Sequence, residues 1–362
     1  MTQSKTEYEA LAPIDVPAPL PQVKAFESSD AERWDQFVFE HPRASFFHLT
    51  GWKRVLEKTF GYQARYFYCE RQGKITGIAP LFDFSSWLVG RCLVSVPLAT
   101  YGGIVAKDEV SEQALLEHSI SMARSTPVDY LELRRRDGGL LNGFHANELY
   151  VSFTAPLFQD VQANLKRLPK DTRYMIRKAE KGGLRIERGV EQLDVFYDLF
   201  AQSMQRLGTP VFPHTLFKNF VEEFPKHTQL MLVYNGSEAV AGVLSFFFRD
   251  TVLPYFAGAS QEATRLAGNN FMYWELMKWA AEQGFRMFDF GRSKKGTGSF
   301  AFKSQWNMDV QPLDYQVLLV KRKTVPNFSP VNPKFEMAIR IWKKLPLSLT
   351  KLLGPAVVRL IP

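Results

Sequence analysis

The sequence predicts an α+β protein of two similar tandem domains, each a mixed, largely antiparallel sheet flanked by helices. Three observations carry this. One order of elements, α-α-β-β-β-α-β, is legible twice, offset by roughly 157–165 residues. Each copy holds a turn signal between two apolar runs, the mark of a hairpin. Each copy closes with a helix-spaced segment and a short strand. The length of 362 residues suits two cores rather than one, and 46% hydrophobic with 23% charged residues excludes general disorder.

Residues 1–22, with Pro13, Pro17, Pro19 and Pro21, read as a flexible arm. In the first domain, 23–155, Trp34, Phe37 and Val38 and then Trp52, Val55 and Leu56 recur at helical spacing around a break at Pro42. A strand at 66–69 turns through Arg71-Gln72-Gly73-Lys74 into 75–84, and a third strand covers 93–96. A helix over 112–123 and a strand over 128–134 close the copy. The second domain, 156–325, adds a basic helix at 170–181 and then repeats the pattern. Leu193, Phe196 and Phe200, a break at Gly208-Thr209-Pro210, and Leu216, Phe217 and Phe220 form its helix pair. Asn235-Gly236 joins strands at 230–234 and 239–248, a strand follows at 252–257, and helix 271–282 leads into strand 285–290. Residues 326–362 form a basic amphipathic tail in which Phe335, Ile339, Ile341, Trp342 and Leu345 alternate with Lys343, Lys344 and Lys351.

The net charge of +8 is concentrated: nine Lys/Arg against three acids between Asn164 and Arg188, and six against Glu336 from Val331 to the end. Phosphorylated substrates, an RNA backbone or an anionic membrane all suit such segments. Cys69 and Cys92 read as reduced core thiols, and six scattered histidines show no metal spacing, so no metal is expected. No P-loop, no Ser-His-Asp signature and no recognition helix for DNA is present. Neither a secretory leader nor a run of about 18 apolar residues occurs, so the expected location is cytoplasmic, with peripheral contact at the inner membrane open.

The most informative stretch is 288–303, in which an alternating apolar run ends in Asp289 and Arg292 and a glycine-rich cationic loop follows. Arg292, Lys294, Lys295 and Lys303, four cations within twelve residues, suit a diphosphate or sugar phosphate, although a solvated basic turn would read the same way. Lys303 stands between Phe302 and Trp306; Asp289 either positions a nucleophile and takes its proton or pairs Arg292. Arg173 and Arg177, with Lys181, make one cationic stripe along the basic helix, for an acidic acceptor, tRNA or lipid, or simply for solvent. His48, Tyr101, Arg134, Tyr255 and Tyr273 fall near strand ends or in loops facing the expected cleft.

The element order is that of an acyl-CoA N-acyltransferase (GNAT)-like domain, and its duplication narrows the comparison. Phe47-His48-Leu49-Thr50-Gly51-Trp52, Thr100-Tyr101-Gly102-Gly103 and Asp129-Tyr130-Leu131-Glu132-Leu133-Arg134 carry a resemblance in the first half. In the second half it rests on Arg173-Tyr174-Met175-Ile176-Arg177-Lys178-Ala179, Leu207-Gly208-Thr209-Pro210-Val211-Phe212-Pro213, Gly268-Asn269-Asn270-Phe271-Met272-Tyr273-Trp274-Glu275-Leu276 and the loop through Trp306. Over about 46–334 the chain resembles the FemAB-type acyl- and aminoacyltransferases. It is most similar to the FemAB-like subgroup associated with the exosortase/PEP-CTERM exopolysaccharide system of Gram-negative bacteria.

The resemblance implies transfer of an acyl or aminoacyl group to an amine or hydroxyl of a cell-envelope or exopolysaccharide precursor. Lys303 then stabilises the charge that builds on the attacked carbonyl, in a cleft where Phe302 and Trp306 meet substrate. It implies acyl-CoA or aminoacyl-tRNA as donor, and an anionic small-molecule or lipid-linked sugar as acceptor. The chain departs from the family in lacking a long coiled-coil arm and the usual Pro-Arg-Gly-Pro turn, whose place is taken by Thr100-Tyr101-Gly102-Gly103-Ile104. Arg265, Gly268 and Asn270 resemble the pyrophosphate turn of CoA-dependent acetyltransferases, with Asn270 where a small residue is usual; Asn270 equally suits a helix N-cap. Direct acyl-CoA use and a non-catalytic polyanion-binding factor of polysaccharide export are the alternatives.

Overall fold

A computed structural model describes residues 20–136, 139–325 and 333–362, so the predicted arm lies almost wholly outside the described residues. The first half runs β1 (Gln22–Ala25), α1 (Ala31–Glu40), α2 (Thr50–Phe60), β2 (Gln63–Arg71) and β3 (Lys74–Ser86). It continues with β4 (Gly90–Ser95), β5 (Val105–Ala106), α3 (Glu109–Ser125), β6 (Tyr130–Leu133) and β7 (His145–Pro156). The second half opens with α4 (Val161–Arg167), α5 (Lys170–Lys181), β8 (Arg185–Arg188), α6 (Leu193–Leu207) and α7 (His214–Glu223). Next come β9 (Thr228–Asn235), β10 (Glu238–Phe248), β11 (Thr251–Ala259), α8 (Gln261–Arg265) and α9 (Gly268–Glu282). Then follow β12 (Met287–Lys294), α10 (Gly298–Ser304) and β13 (Asp309–Leu319), and the tail forms α11 (Pro333–Trp342) and α12 (Leu347–Val358).

The α+β class and the repeat are both present, but the two sheets join into one. Its order is β1-β2-β3-β4-β6-β13-β7-β12-β11-β10-β9-β8, with β5 against β3. The two flanks mirror each other, and all pairings are antiparallel except β4–β6 and β11–β12. The centre is an exchange. Strand β7, which ends the first half, pairs with β12 of the second, while β13 pairs with β6 of the first. The boundary read at 155/156 therefore falls at the end of a strand bonded to its neighbours on both sides.

One face of the sheet carries α1, α2, α6 and α7 over an aromatic core that crosses the halves. Trp52 lies 4.7 Å from the Phe220 ring and Phe46 4.8 Å from Phe246. Helices α2 and α7 cross closely because Gly51 has no side chain: a Cβ there would stand 2.5 Å from the Phe224 ring. The other face is covered by α3 in the first half and by α5, α8 and α9 in the second.

In the tail, α12 packs on α6, with Gly354 against Val211 and Lys351 paired to Asp198. Only its end reaches the first half, where Arg359 donates to Thr59 O and Ser86 Oγ donates to Leu360 O at 2.8 Å. Among the described residues, no helix is long and apolar enough to cross a membrane.

Candidate active site

Strands β11 and β12 pair only where Thr251 meets Met287 and Val252 meets Phe288; beyond that they part. A cavity of about 510 Å³ opens in the gap. Pro254 to Ala257 form one wall and Phe290, Gly291 and Arg292 the other; Phe200, Met204 and Leu207 of α6 flank it with Thr209 and Phe212, and Tyr273, Ser299 and Lys303 complete the second-half lining. Leu98 and Thr100 reach in from the first half, so the site needs both.

The β12 wall is shaped by a bulge. Register slips between Asp289 and Arg292, and Gly291 takes φ +64°, where a side chain would be strained. A bulge interrupts the ladder, leaving carbonyls without strand partners, and Lys303 supplies what they lack. Its ammonium donates to Phe290 O at 2.5 Å and to Arg292 O at 3.1 Å. Burial pulls this ammonium down to about 8, with Asp289 resisting and Arg292 adding to the effect. Lys303 thus sits on α10 in the cavity wall rather than on a free loop.

Asp289 points to the other side of the strand. It accepts from Tyr101 Oη at 3.1 Å and from the Gly291 amide at 2.7 Å, and burial raises its pKa. It does not line the cavity and does not pair Arg292, contrary to both roles read for it; it fixes the bulge from behind. Tyr101 is likewise buried there, under the Arg136 guanidinium.

The cationic loop is shorter than predicted, because β12 continues through Lys294. Arg292 lines the cavity, donating to Ala99 O and Tyr315 Oη, both at 3.3 Å, with its guanidinium 5.2 Å from the Tyr150 ring centre. Lys294 is buried behind it without a hydrogen-bond partner, and burial, with Arg292 nearby, lowers its pKa. Lys295 is exposed and lines nothing. The predicted four-cation cluster therefore reduces to Arg292 and Lys303 at the cavity.

Phe302 and Trp306 are corrected as substrate contacts. Trp306 is 1% exposed and packs with Tyr273, Phe290 and Phe302 in the core, and neither lines the cavity. Tyr255 and Tyr273 do line it; Tyr255 donates to Leu98 O, and burial pushes its hydroxyl up to about 12. Arg173 and Arg177 lie on α5, whose Thr172, Ile176 and Ala179 face inward, and they remain outside the cavity without a carboxylate partner among the described residues. Arg265 is exposed and paired to Glu262, Gly268 begins α9 against Ala263, and Asn270 lies inside the first turn rather than at the N-cap, which is Ala267. None of these three meets the cavity.

His48 is structural. Its Nε2 donates to Gly103 O at 3.0 Å while Nδ1 accepts from the Ser45 amide at 3.1 Å, which fixes the neutral ring, and burial lowers its pKa to about 4. An unfolded histidine titrates near 6.5, so this neutral ring contributes stability fully present above that value. The contribution is lost as pH falls toward 4, on the order of 3 kcal/mol in all. Urea unfolding at neutral pH and near the lower limit should show this loss in the wild type and a smaller one in His48→Gln. Equal acid losses would contradict it.

The mirror-image gap in the first half is closed. Strands β4 and β6 pair over Cys92–Tyr130, Leu93–Leu131 and Val94–Glu132. Arg134 fills the space beyond, bonding Glu132 at 2.8 Å and Val96 O at 3.1 Å, with both side chains buried. A larger hollow of about 800 Å³ lies along α3. Its arginines are already paired, Arg43 and Arg135 both to Glu112, and it holds no predicted site residue, so the smaller cavity is the candidate site.

Thr100 is the site residue that the sequence did not single out. Its Oγ1 is buried without a partner at the cavity, 3.5 Å from where a Gly291 Cβ would stand. The motif drew attention to its neighbour Tyr101, and only the fold brings this threonine to the other half's bulge.

No curated protein sequence matches this chain. Residues 166–304 match the family model described as an acetyltransferase (GNAT) domain. Among solved structures, FemX superposes over 88% of this chain and all of its own, with 16% identity and a TM-score of 0.63. The C-terminal domain of a putative lysylphosphatidylglycerol synthetase from Agrobacterium fabrum covers 80% of this chain and 92% of its own, at 15% identity and TM-score 0.57. A tandem GNAT protein from the clavulanic acid biosynthesis pathway covers 84% of this chain and 100% of its own, at 10% identity and TM-score 0.52. These likenesses establish the tandem fold. With the matched domain in its second half, the protein is an acyltransferase.

Proposed function

We propose that the protein transfers an acyl or aminoacyl group to an amine or hydroxyl of an anionic envelope or exopolysaccharide precursor, in the cavity between β11 and β12. The observation carrying this is the Lys303 ammonium, held on the bulge carbonyls in the cavity wall. When the acceptor attacks the donor carbonyl, the electron pair moves to oxygen, and a fixed cation in a partly dry site lowers that charge's energy. Collapse expels the carrier's alkoxide or thiolate, which takes the proton lost by the acceptor. Arg292 supports anionic parts of the acceptor, which is read as a lipid- or nucleotide-linked sugar of the kind the exopolysaccharide subgroup implies. Cytoplasmic placement, close to the inner membrane, belongs to the same reading.

Acyl-CoA is the second donor reading, favoured by the acetyltransferase domain match, while the exposed, Glu262-paired Arg265 favours an aminoacyl-tRNA. Thermal unfolding with a UDP-sugar, uncharged tRNA and acetyl-CoA separates them. A ligand at a hundred times its Kd adds about 2.7 kcal/mol of stability, an upward shift of several degrees. The expected result is a shift with UDP-sugar or tRNA that shrinks in Lys303→Ala. A shift with acetyl-CoA alone would overturn the preferred donor, and none with any ligand would count against the site.

A further inference from the structure

Five large apolar side chains of the tail point into solvent: Met337 and Ile341 on α11, and Leu349, Leu352 and Leu353 on α12. On α12 the three leucines lie on one face, opposite Thr350, Gly354 and Val358, which pack inward. Trp87, 83% exposed, lies in the β3–β4 turn beside the end of α12, where Ser86 bonds Leu360 O. At the other end, Ile339 and Lys343 pack over Gly208, next to Leu207, which is 63% exposed and also lines the cavity. Exposed apolar side chains are therefore found at Trp87, on α12 and α11, and at Leu207 on the cavity lining.

Their setting is basic. Lys343, Lys344 and Arg359 are exposed, and the tail from 331 onward carries six cations against one acid. Two copies of this chain meeting here about a two-fold axis would bring lysines against their own kind. An anionic lipid surface instead accepts the lysines at its headgroups and the leucines just below them, while an exposed tryptophan suits the same boundary.

We propose that this face docks on an anionic phospholipid bilayer and holds the cavity mouth at the headgroups, where a lipid-borne acceptor would enter. The docking stands on the surface alone; the purpose given to it rests on the transfer reading above.

The test is co-sedimentation of the full chain with vesicles of phosphatidylcholine, or of phosphatidylcholine with about one-third phosphatidylglycerol. We expect binding to the anionic vesicles that weakens with salt. Met337→Glu/Leu352→Glu and Lys343→Glu/Lys344→Glu should each weaken it about tenfold or more, with unchanged melting temperature and solution mass. Failure to bind the anionic vesicles, or binding that survives both pairs of changes, would overturn the proposal. So would a dimer, seen by light scattering, that Leu352→Glu dissolves. Vesicle binding with no ligand response at the cavity would uphold the surface and overturn the transfer reading.

Discussion

Replacing Lys303 by alanine should lower kcat for transfer by about 10²–10³-fold, the usual scale for removing one group that stabilises the developing oxyanion. KM should move little, because the ammonium is bonded to the wall and gains its larger interaction only when charge appears on the attacked carbonyl. The pH profile adds an independent check. Burial sets this ammonium at about 8, so the charged form predominates below that value. If the charged form is the active one, kcat falls as pH rises through about 8. A base would give the opposite limb, with activity rising over the same interval. A rising profile, or an alanine variant with full kcat, would remove Lys303 from the chemistry. Part of any loss is structural, since Phe290 O and Arg292 O lose a donor, and unfolding in urea separates that share.

The largest stability effect is expected in the closed gap of the first half. Arg134→Met leaves the buried Glu132 carboxylate without its partner and should cost about 3–5 kcal/mol. Removing both charges, as in Glu132→Leu with Arg134→Met, should restore most of this, since two apolar side chains of similar size fill the space without an orphaned ion. Chemical unfolding of the two variants measures the difference directly. If Arg134→Met alone costs under about 1 kcal/mol, the pair is not what holds the gap shut. Among the described residues no such pair stands in the gap of the second half: Asp289 accepts from Tyr101 and the Gly291 amide instead, and Arg292 lines the open cavity.

The repeat was legible because its signals are local. Helical spacing around Trp52 or Phe217 and the Asn235-Gly236 turn need no knowledge of the other half. Strands β7 and β13 were not legible. Pro312 interrupts the pattern of β13, and each strand finds its partner in the opposite half, a choice that no local window contains. Arg292 and Lys294 read as loop because glycines at 291 and 296 bracket them, yet their backbone pairs with Ser152 and Tyr150. The aromatic-lysine spacing drew attention to Lys303, which the fold places in the cavity wall, but not to the packing of its neighbours, since rings that frame a site and rings that fill a core are spaced alike. Thr100 needed the fold itself.

The crossed closing strands also set the order in which the chain can be completed. When the ribosome has made β6, that strand lacks its β13 neighbour until about half the chain has followed, and β7 waits a shorter stretch for β12 and then for β13. Open strand edges invite pairing with the wrong partner, and contacts this distant in sequence form slowly. The nascent first half is therefore an unfinished object, holding an exposed seam that only the last strand of the second half can close.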